Sequence, residues 1–342
     1  MKKIIIIGAG AMGSAFAVPC LENKNDVTLI GTHLEDDLIN NIKSKNNFHP
    51  TLNLELPTKL RVEKHERLKK ILEEDIDIIV AGVSSVGIEW FVNQIANNYK
   101  KNLPIILLTK GLAIVEDELI TLSDKIKLLL NKQGHTEVNV SAIKGPCLAA
   151  GLANKMRTGT VIANPDIKET ETLKKFISTH YYSTEISDDL TGVELAGAIK
   201  NIYSMLIGAS EGLSNSRASK EIQSKYYLNT SASLIHRSIS EMVEFVSFYG
   251  GKAETVYGLA GLGDLYVSAI GGRNSLMGKY LGEGYLYKEA KEKFMKNITV
   301  EGAQLALEIG PKILQDLNSK HFPLMFSMLN TICENKKLEI QW

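Results

Sequence analysis

Cysteine is scarce in this 342-residue chain. Cys20, Cys147 and Cys333 are the only three, and their number and spacing fit neither a disulfide framework nor a thiolate metal site. Reduced thiols in a cytoplasm are the expectation, and no metal site is expected. Net charge is absent too. Lys plus Arg and Asp plus Glu number 39 each, so no whole-molecule field draws in nucleic acid or an anionic membrane. Long apolar runs are missing. Ile4–Ile7 starts too early and ends too soon for a signal peptide, and nothing is long enough to enter a bilayer as a span. Solenoid repeats and low-complexity stretches are lacking as well. What remains is an ordinary soluble composition, 23% charged and 44% apolar, at a length that suggests two domains.

The first informative stretch is KKIIIIGAGAMGSAFA. A β-branched run, Ile4–Ile7, marks a buried parallel strand. Gly8, Gly10 and Gly13 follow in G-x-G-x-x-G spacing, then a helical segment from Ser14 to about Asn23, then a second strand, Val27–Ile30. A glycine fingerprint placed directly between strand and helix is a dinucleotide-binding signal. One glycine makes the tight turn, one lets a pyrophosphate approach the backbone, and one packs helix on strand. The helix N-terminus then offers N–H groups to the phosphates, and Ala11 and Met12, inside the fingerprint, join its glycines as cofactor-binding candidates.

The second strand ends in Gly31-Thr32-His33. An NAD site usually places Asp or Glu there, and an NADP site Arg. Neither stands at the tip. Thr32 or His33 could reach a 2′-phosphate, while Glu35 and Asp36 come slightly late for a ribose diol. NAD or NADP stays open. Residues 35–75 read as polar and helical, with no chemistry of their own.

Further strands are expected at Ile76–Val83, Ile105–Leu108, Val138–Ile143 and Thr158–Ala163. Ligands of open parallel sheets sit beyond the carboxyl ends of strands. That places Ser84, Ser85 and Lys110 to meet a cofactor or substrate, with a solvated Lys110 as the alternative. Lys144-Gly145-Pro146-Cys147-Leu148-Ala149 forms a tight loop at another strand end, open to backbone contact with a ligand.

After Ser187 the pattern turns helical, which puts the domain boundary there: a nucleotide-binding domain over 1–187 and a helical domain over 188–342. DLTGVELAGAIKNIYSMLIGASEGL, from Asp189 to Leu213, is apolar on nearly every side and should be buried. Lys200 sits in its middle. It either snorkels its ammonium to water or has a partner and a task. A polar insert is expected over 217–228, then a helix from Asn229 to Tyr249. Downstream, Gly258-Leu259-Ala260-Gly261-Leu262-Gly263-Asp264-Leu265 sets one acid in an apolar segment, and a buried carboxylate needs a cation. Lys200 is the obvious one. Gly271-Gly272-Arg273-Asn274 offers a planar fork of donors for a phosphate or carboxylate. Val300-Glu301-Gly302 opens a helical region running to about Asn330.

The blocks GAGAMGSAFA (8–17), KGL (110–112), KGPCLA (144–149), ELAGAIKNIYS (194–204), GLAGLGDL (258–265), GGRN (271–274) and VEG (300–302) together resemble the NAD(P)-dependent glycerol-3-phosphate dehydrogenases. The strand-tip segment and the insert look more like the archaeal-type branch. The resemblance implies an α/β chain: an N-terminal Rossmann-type parallel-sheet domain followed by an all-helical C-terminal domain, with the active site between them. It implies Lys200 as general acid/base, Asp264 as its partner, and Lys110 touching nicotinamide and substrate. Arg273 and Asn274 would hold the substrate phosphate, with Gly272 beside them and Arg273 also near the cofactor. Glu301 would lie by the cofactor, and Gly145 and Ala149 would line the site through backbone.

Further implications are a small phosphorylated substrate, a homodimer through the helical domain, and supply of glycerophospholipid precursors in the cytoplasm. This sequence departs from the family pattern at Cys147, where Ser or Thr is usual and a thiol is a poor donor, and at Gly151, Gly272 and Ser231. Those departures leave room for a related dehydrogenase of another small phosphate, phosphonate or hydroxy acid. A cofactor-sensing protein without turnover is the other alternative, and it would have no need for a proton-transfer pair.

Overall fold

A computed structural model describes residues 1–215 and 220–341, with side chains described outside 215–226. The chain divides into two compact units: Met1–Lys110 with Thr121–Leu190, and Gly111–Ile120 with Thr191–Trp342.

The first unit is built on one eight-stranded sheet. Its strands are β1 (Lys3–Ile7), β2 (Asp26–Ile30), β3 (Arg61–Glu63), β4 (Ile78–Ala81), β5 (Ile105–Leu107), β6 (Val140–Lys144), β7 (Thr158–Ala163) and β8 (Tyr182–Ser187). The spatial order is β8-β7-β6-β5-β4-β1-β2-β3. From β3 to β6 this is the doubly wound order 3-2-1-4-5-6, whose switch point lies between β1 and β4. Ile4 faces Val27 on one side and Ile78 on the other. Ile4–Ile7 are fully buried, as a central strand covered on both faces requires. Burying each such side chain contributes roughly 1.5–3 kcal/mol.

The sheet is mixed rather than wholly parallel. β6 and β7 run antiparallel, with Ala142 opposite Ala163. The chain between them holds only the five-residue helix Ala149–Ala153, and it returns instead of crossing over. β3 and β8 are the two strands that apolar patterning does not reveal. Both are edges of the sheet, and Tyr182–Ser187 alternates buried and exposed from Tyr182 to Glu185. An edge strand has only one half-buried face to fill, so it carries Ser, Thr and Glu without cost.

The glycine turn after β1 leads into α1 (Ala11–Glu22). The second unit is largely helical. Its main helices are α2 (Leu190–Asn215), α3 (Lys220–Phe248), α4 (Asp264–Ile270), α5 (Arg273–Gly282), α6 (Glu301–Asp316) and α7 (Pro323–Cys333). It also holds a small hairpin, Leu112–Val115 with Glu118–Thr121, whose Leu112 is buried in the helical core. An all-helical unit is therefore corrected by one hairpin drawn from earlier in the chain.

Of the polar insert expected over 217–228, residues 217–219 lie outside the described residues. From Lys220 the backbone is helical and continuous with the helix expected at Asn229. The single helical region expected from Glu301 to Asn330 is two helices, broken at 317–322. Pro323 opens α7, where its missing N–H is not needed. The buried Glu241 carboxylate accepts from the Leu324 and Met325 N–H groups, satisfying that helix end. Burial pushes this carboxyl above the ordinary carboxylate value. No described helix is long and apolar enough to cross a membrane.

Candidate active site

In the first unit the glycine turn is clamped from both sides. Gly8 takes a φ of +110°, and a Cβ there would lie 2.6 Å from the Gly82 carbonyl. A Cβ on Gly13 would lie 2.1 Å from the Gly8 carbonyl oxygen, because α1 packs directly on β1. Gly10 differs. Its backbone, φ −60° and ψ 175°, suits any residue. A Cβ there would meet nothing nearer than Glu35 Oε1 at 3.8 Å. The fold gives no reason for glycine at this position, whereas a pyrophosphate lying over the backbone does.

The first-turn N–H groups of α1, which helix geometry leaves without intrahelical acceptors, point to the same ligand. Gly10, at the N-cap, makes no side-chain capping bond to compete for them. The residues at the turn therefore fit a dinucleotide.

The Ala9 peptide holds this turn in place. Its N–H donates to Glu35 Oε2 at 3.0 Å. Its carbonyl accepts from the Ser14 hydroxyl at 2.9 Å and from the buried His49 ring, Nε2 to oxygen 3.0 Å. The Leu52 N–H donates to His49 Nδ1, which fixes the tautomer: Nε2 carries the hydrogen. Thr32, at the strand tip, donates its N–H to the same Glu35 oxygen at 2.8 Å. None of this was visible in residues 35–75 of the sequence. The links run between segments 26 and 40 residues apart, and a carboxylate and an imidazole in polar surroundings carry no pattern.

A small cavity beyond the ends of β5 and β6 is lined by Met12, Lys110, Lys144, Gly145 and Cys147. The Lys110 ammonium donates to the Gly145 carbonyl at 3.4 Å. Cys147 is half-buried, its N–H donating to Gly145 at 2.8 Å, and Ala149 begins the short helix that follows. Tyr182 borders the same cavity, and burial pushes its phenol well above the ordinary value.

Lys144 stands in the sequence only as the first residue of the Lys144–Ala149 loop, with no role of its own. It is only 2% exposed, and its ammonium donates to the Thr109 carbonyl at 2.7 Å, immediately before Lys110. A lysine closing an apolar strand was the available signal.

In the second unit, Lys200 does not snorkel. It is 4% exposed and Asp264 3% exposed. Nζ donates to Asp264 Oδ1 at 2.9 Å and to the Ser268 hydroxyl. Ser268 was not foreseen, although four residues after Asp264 on a helix places it on the same face. Asp264 stands where a π-helical turn over Leu259–Gly263 runs directly into α4, which widens the helix just before the carboxylate.

Close approach of α2 and α5 assembles the rest. A Cβ on Gly278 would lie 1.8 Å from the Met205 carbonyl oxygen, and one on Gly208 2.3 Å from that of Ser275. With the helices this near, buried Asn274 donates through Nδ2 to Asn201 Oδ1 at 3.0 Å and accepts the Gly302 N–H at 2.9 Å. Among the described residues one amide hydrogen of Asn274 has no acceptor and is open to a ligand, since its other groups hold Asn201 and the start of α6. Arg273 extends more than half exposed and pairs with Glu301, leaving further guanidinium donors. Gly272 precedes α5 as its N-cap.

Two family models match. "NAD-dependent glycerol-3-phosphate dehydrogenase N-terminus" covers residues 3–170, and the corresponding C-terminus covers residues 189–341. The chain is 32% identical over 341 residues to the NADP(+)-dependent glycerol-3-phosphate dehydrogenase of Archaeoglobus fulgidus, covering 98% of this chain and 96% of that one. The chain belongs to the NAD-dependent glycerol-3-phosphate dehydrogenase family.

A Mesoplasma florum relative, named glycerol-3-phosphate dehydrogenase [NAD(P)+], is 31% identical over 96% of this chain and 93% of its own. Among solved structures, the glycerol-3-phosphate dehydrogenase of Coxiella burnetii aligns with a TM-score of 0.81 at 27% identity, over 98% of this chain and 96% of that one. Family membership makes the reaction class NAD(P)-dependent oxidoreduction at a CH–OH group.

Proposed function

We propose that the chain interconverts dihydroxyacetone phosphate and sn-glycerol 3-phosphate, with Lys200 as the proton-transfer group. The observation that carries this reading is the buried Lys200–Asp264 pair with the half-buried Ser268 hydroxyl beside it. An ammonium is expensive to bury and a paired one is weak evidence of stability, so a task at Lys200 accounts for its retention better than packing does. The cofactor-sensing alternative is disfavoured for the same reason, since a sensor needs no such cluster.

The residues take distinct roles. Gly10 and the first turn of α1 bind the dinucleotide phosphates, with Ala11, Met12 and Gly13 forming that turn. Bound there, the reduced nicotinamide supplies the hydride for carbonyl reduction. Lys200 donates a proton to the substrate carbonyl oxygen and recovers it in the reverse direction. Asp264 and Ser268 orient the ammonium. Arg273 supplies a fork for the substrate phosphate with the free amide hydrogen of Asn274, and Glu301 holds the guanidinium in its extended pose. Lys110, Gly145, Cys147 and Ala149 border the cofactor and substrate, and Gly272 leaves backbone room beside the phosphate. The active species is a homodimer.

The decisive experiment is oxidation of NADH and of NADPH with dihydroxyacetone phosphate, beside a panel of other small phosphorylated, phosphonate and hydroxy-acid carbonyls. Turnover with dihydroxyacetone phosphate at a kcat/KM at least tenfold above the rest is the expected result. A preference for another member of the panel would replace the substrate. Tight cofactor binding with no oxidation anywhere would favour the sensor. Sedimentation of the purified chain tests the dimer.

A further inference from the structure

The carboxylate of Glu35 lies where the glycine turn meets the end of β2. One oxygen, Oε2, accepts the Ala9 N–H at 3.0 Å and the Thr32 N–H at 2.8 Å. These two donors, one from each strand end flanking the turn, fix the side chain. The other oxygen, Oε1, has no hydrogen bond among the described residues and lies beside the open space over Gly10. In the sequence Glu35 comes slightly late for a ribose diol. In the structure residues 32–35 fold back in a turn closed by the Glu35 N–H on the Thr32 carbonyl at 3.0 Å, which brings the carboxylate to the strand tip.

We propose that Glu35 selects the cofactor, favouring NAD(H) over NADP(H). Its exposed oxygen accepts the adenosine ribose hydroxyls, and its charge repels a 2′-phosphate. The proposal rests on reading the glycine turn as a dinucleotide site. Residues 31–38, GTHLEDDL, contain no lysine or arginine to neutralise a phosphate. Asp36 adds a second carboxylate, already 3.1 Å from the His65 ring, and His33 packs on Trp90 with ring centroids 5.2 Å apart. Lys43, Lys64 and Arg67 line an open groove together with Glu63 and Glu66, which balance part of their charge, and Lys43 stands 3.5 Å from Glu63. A carboxylate at the ribose favours the diol, and a phosphate there meets like charge. The selectivity would differ from that in the name of the Archaeoglobus fulgidus relative, which is NADP(+)-dependent.

The test is calorimetric binding of ADP-ribose and of 2′-phospho-ADP-ribose to the whole chain. Both probes lack the nicotinamide, so the measurement does not depend on turnover. Wild type should bind ADP-ribose at least tenfold more tightly. Glu35→Gln keeps an amide oxygen for the Ala9 and Thr32 N–H groups and loses the charge. It should narrow the ratio at least fivefold, mainly by gaining affinity for the phosphorylated probe. Equal or tighter binding of 2′-phospho-ADP-ribose by wild type overturns the proposal, as does a ratio unchanged in Glu35→Gln. Should the variant not fold, the wild-type ratio still decides. Binding of neither probe sinks this proposal and the dinucleotide reading together. A preserved ratio without activity on dihydroxyacetone phosphate leaves selection standing and removes only the substrate.

Discussion

The glycine turn of the first unit and the α2–α5 crossing of the second use the same residue for opposite ends. At Gly278 and Gly208 the missing Cβ is replaced by another helix, whose carbonyl oxygens would lie 1.8 and 2.3 Å from it. At Gly10 the missing Cβ is replaced by nothing in the protein within 3.8 Å. The crossing spends its small residues on assembly, bringing Asn201 to Asn274. The turn spends one of its three on vacancy. A glycine that its own fold does not require is the better pointer to a ligand, and the difference is measurable in which property a substitution harms.

The largest expected effect is at the group the crossing helps to place. Lys200→Arg keeps a cation for Asp264 but cannot exchange a proton near neutral pH. It should lower kcat about a thousandfold, equivalent to ~4 kcal/mol in the barrier, with NAD(P)H affinity within a few-fold of wild type by fluorescence titration. Lys200→Met should lose as much activity and also stability, by about 3–5 kcal/mol, because Asp264 is left buried without its cation. Near-normal turnover in Lys200→Arg would remove Lys200 from the chemistry and reduce the second region to packing.

Next is the crossing itself. Gly278→Ala places a methyl into the Met205 carbonyl and should destabilise the chain by about 3 kcal/mol, as overpacking against backbone does. The loss should appear as a lower midpoint in urea denaturation. Gly13→Ala should behave alike, since its methyl would collide with the Gly8 carbonyl. These two variants belong together although one lies in each unit. If Gly13→Ala were as stable as wild type, the division between packed and vacant glycines would fail.

How much of this was legible beforehand follows the same division. β1, β2, β7 and α2 were readable because apolar periodicity and β-branched runs are dictated by burial. The glycine fingerprint was readable because backbone geometry demands it. Lys200 with Asp264 was readable because a lone charge in an apolar segment needs an explanation. Ser268, Lys144, His49 and the grip of Glu35 on Ala9 were not, since each acts through hydrogen bonds to a distant segment and leaves no periodic trace. The edge strands β3 and β8 were hidden by a different cause, their polar outer faces. The hairpin that joins the helical unit could not be inferred from a single cut in the chain, because its apolar residues declare burial without naming the core they enter.

The smaller predictions separate vacancy from packing most finely. Ser268→Ala removes one acceptor of the Lys200 ammonium while leaving Asp264 in place. It should lower kcat about five- to tenfold with KM little changed. Gly10→Ala should change stability by no more than about 1 kcal/mol, because its backbone angles already suit alanine and the entropy gained by restricting the unfolded chain offsets part of the poorer N-cap. Dinucleotide affinity should nevertheless fall about tenfold, since the methyl would stand where the pyrophosphate must approach. Measured beside Gly13→Ala, this gives a crossed result within one turn: the stable variant loses the ligand and the packed position loses the fold. A Gly10→Ala chain that bound NADH as wild type does would show that the space over the turn is not the phosphate site.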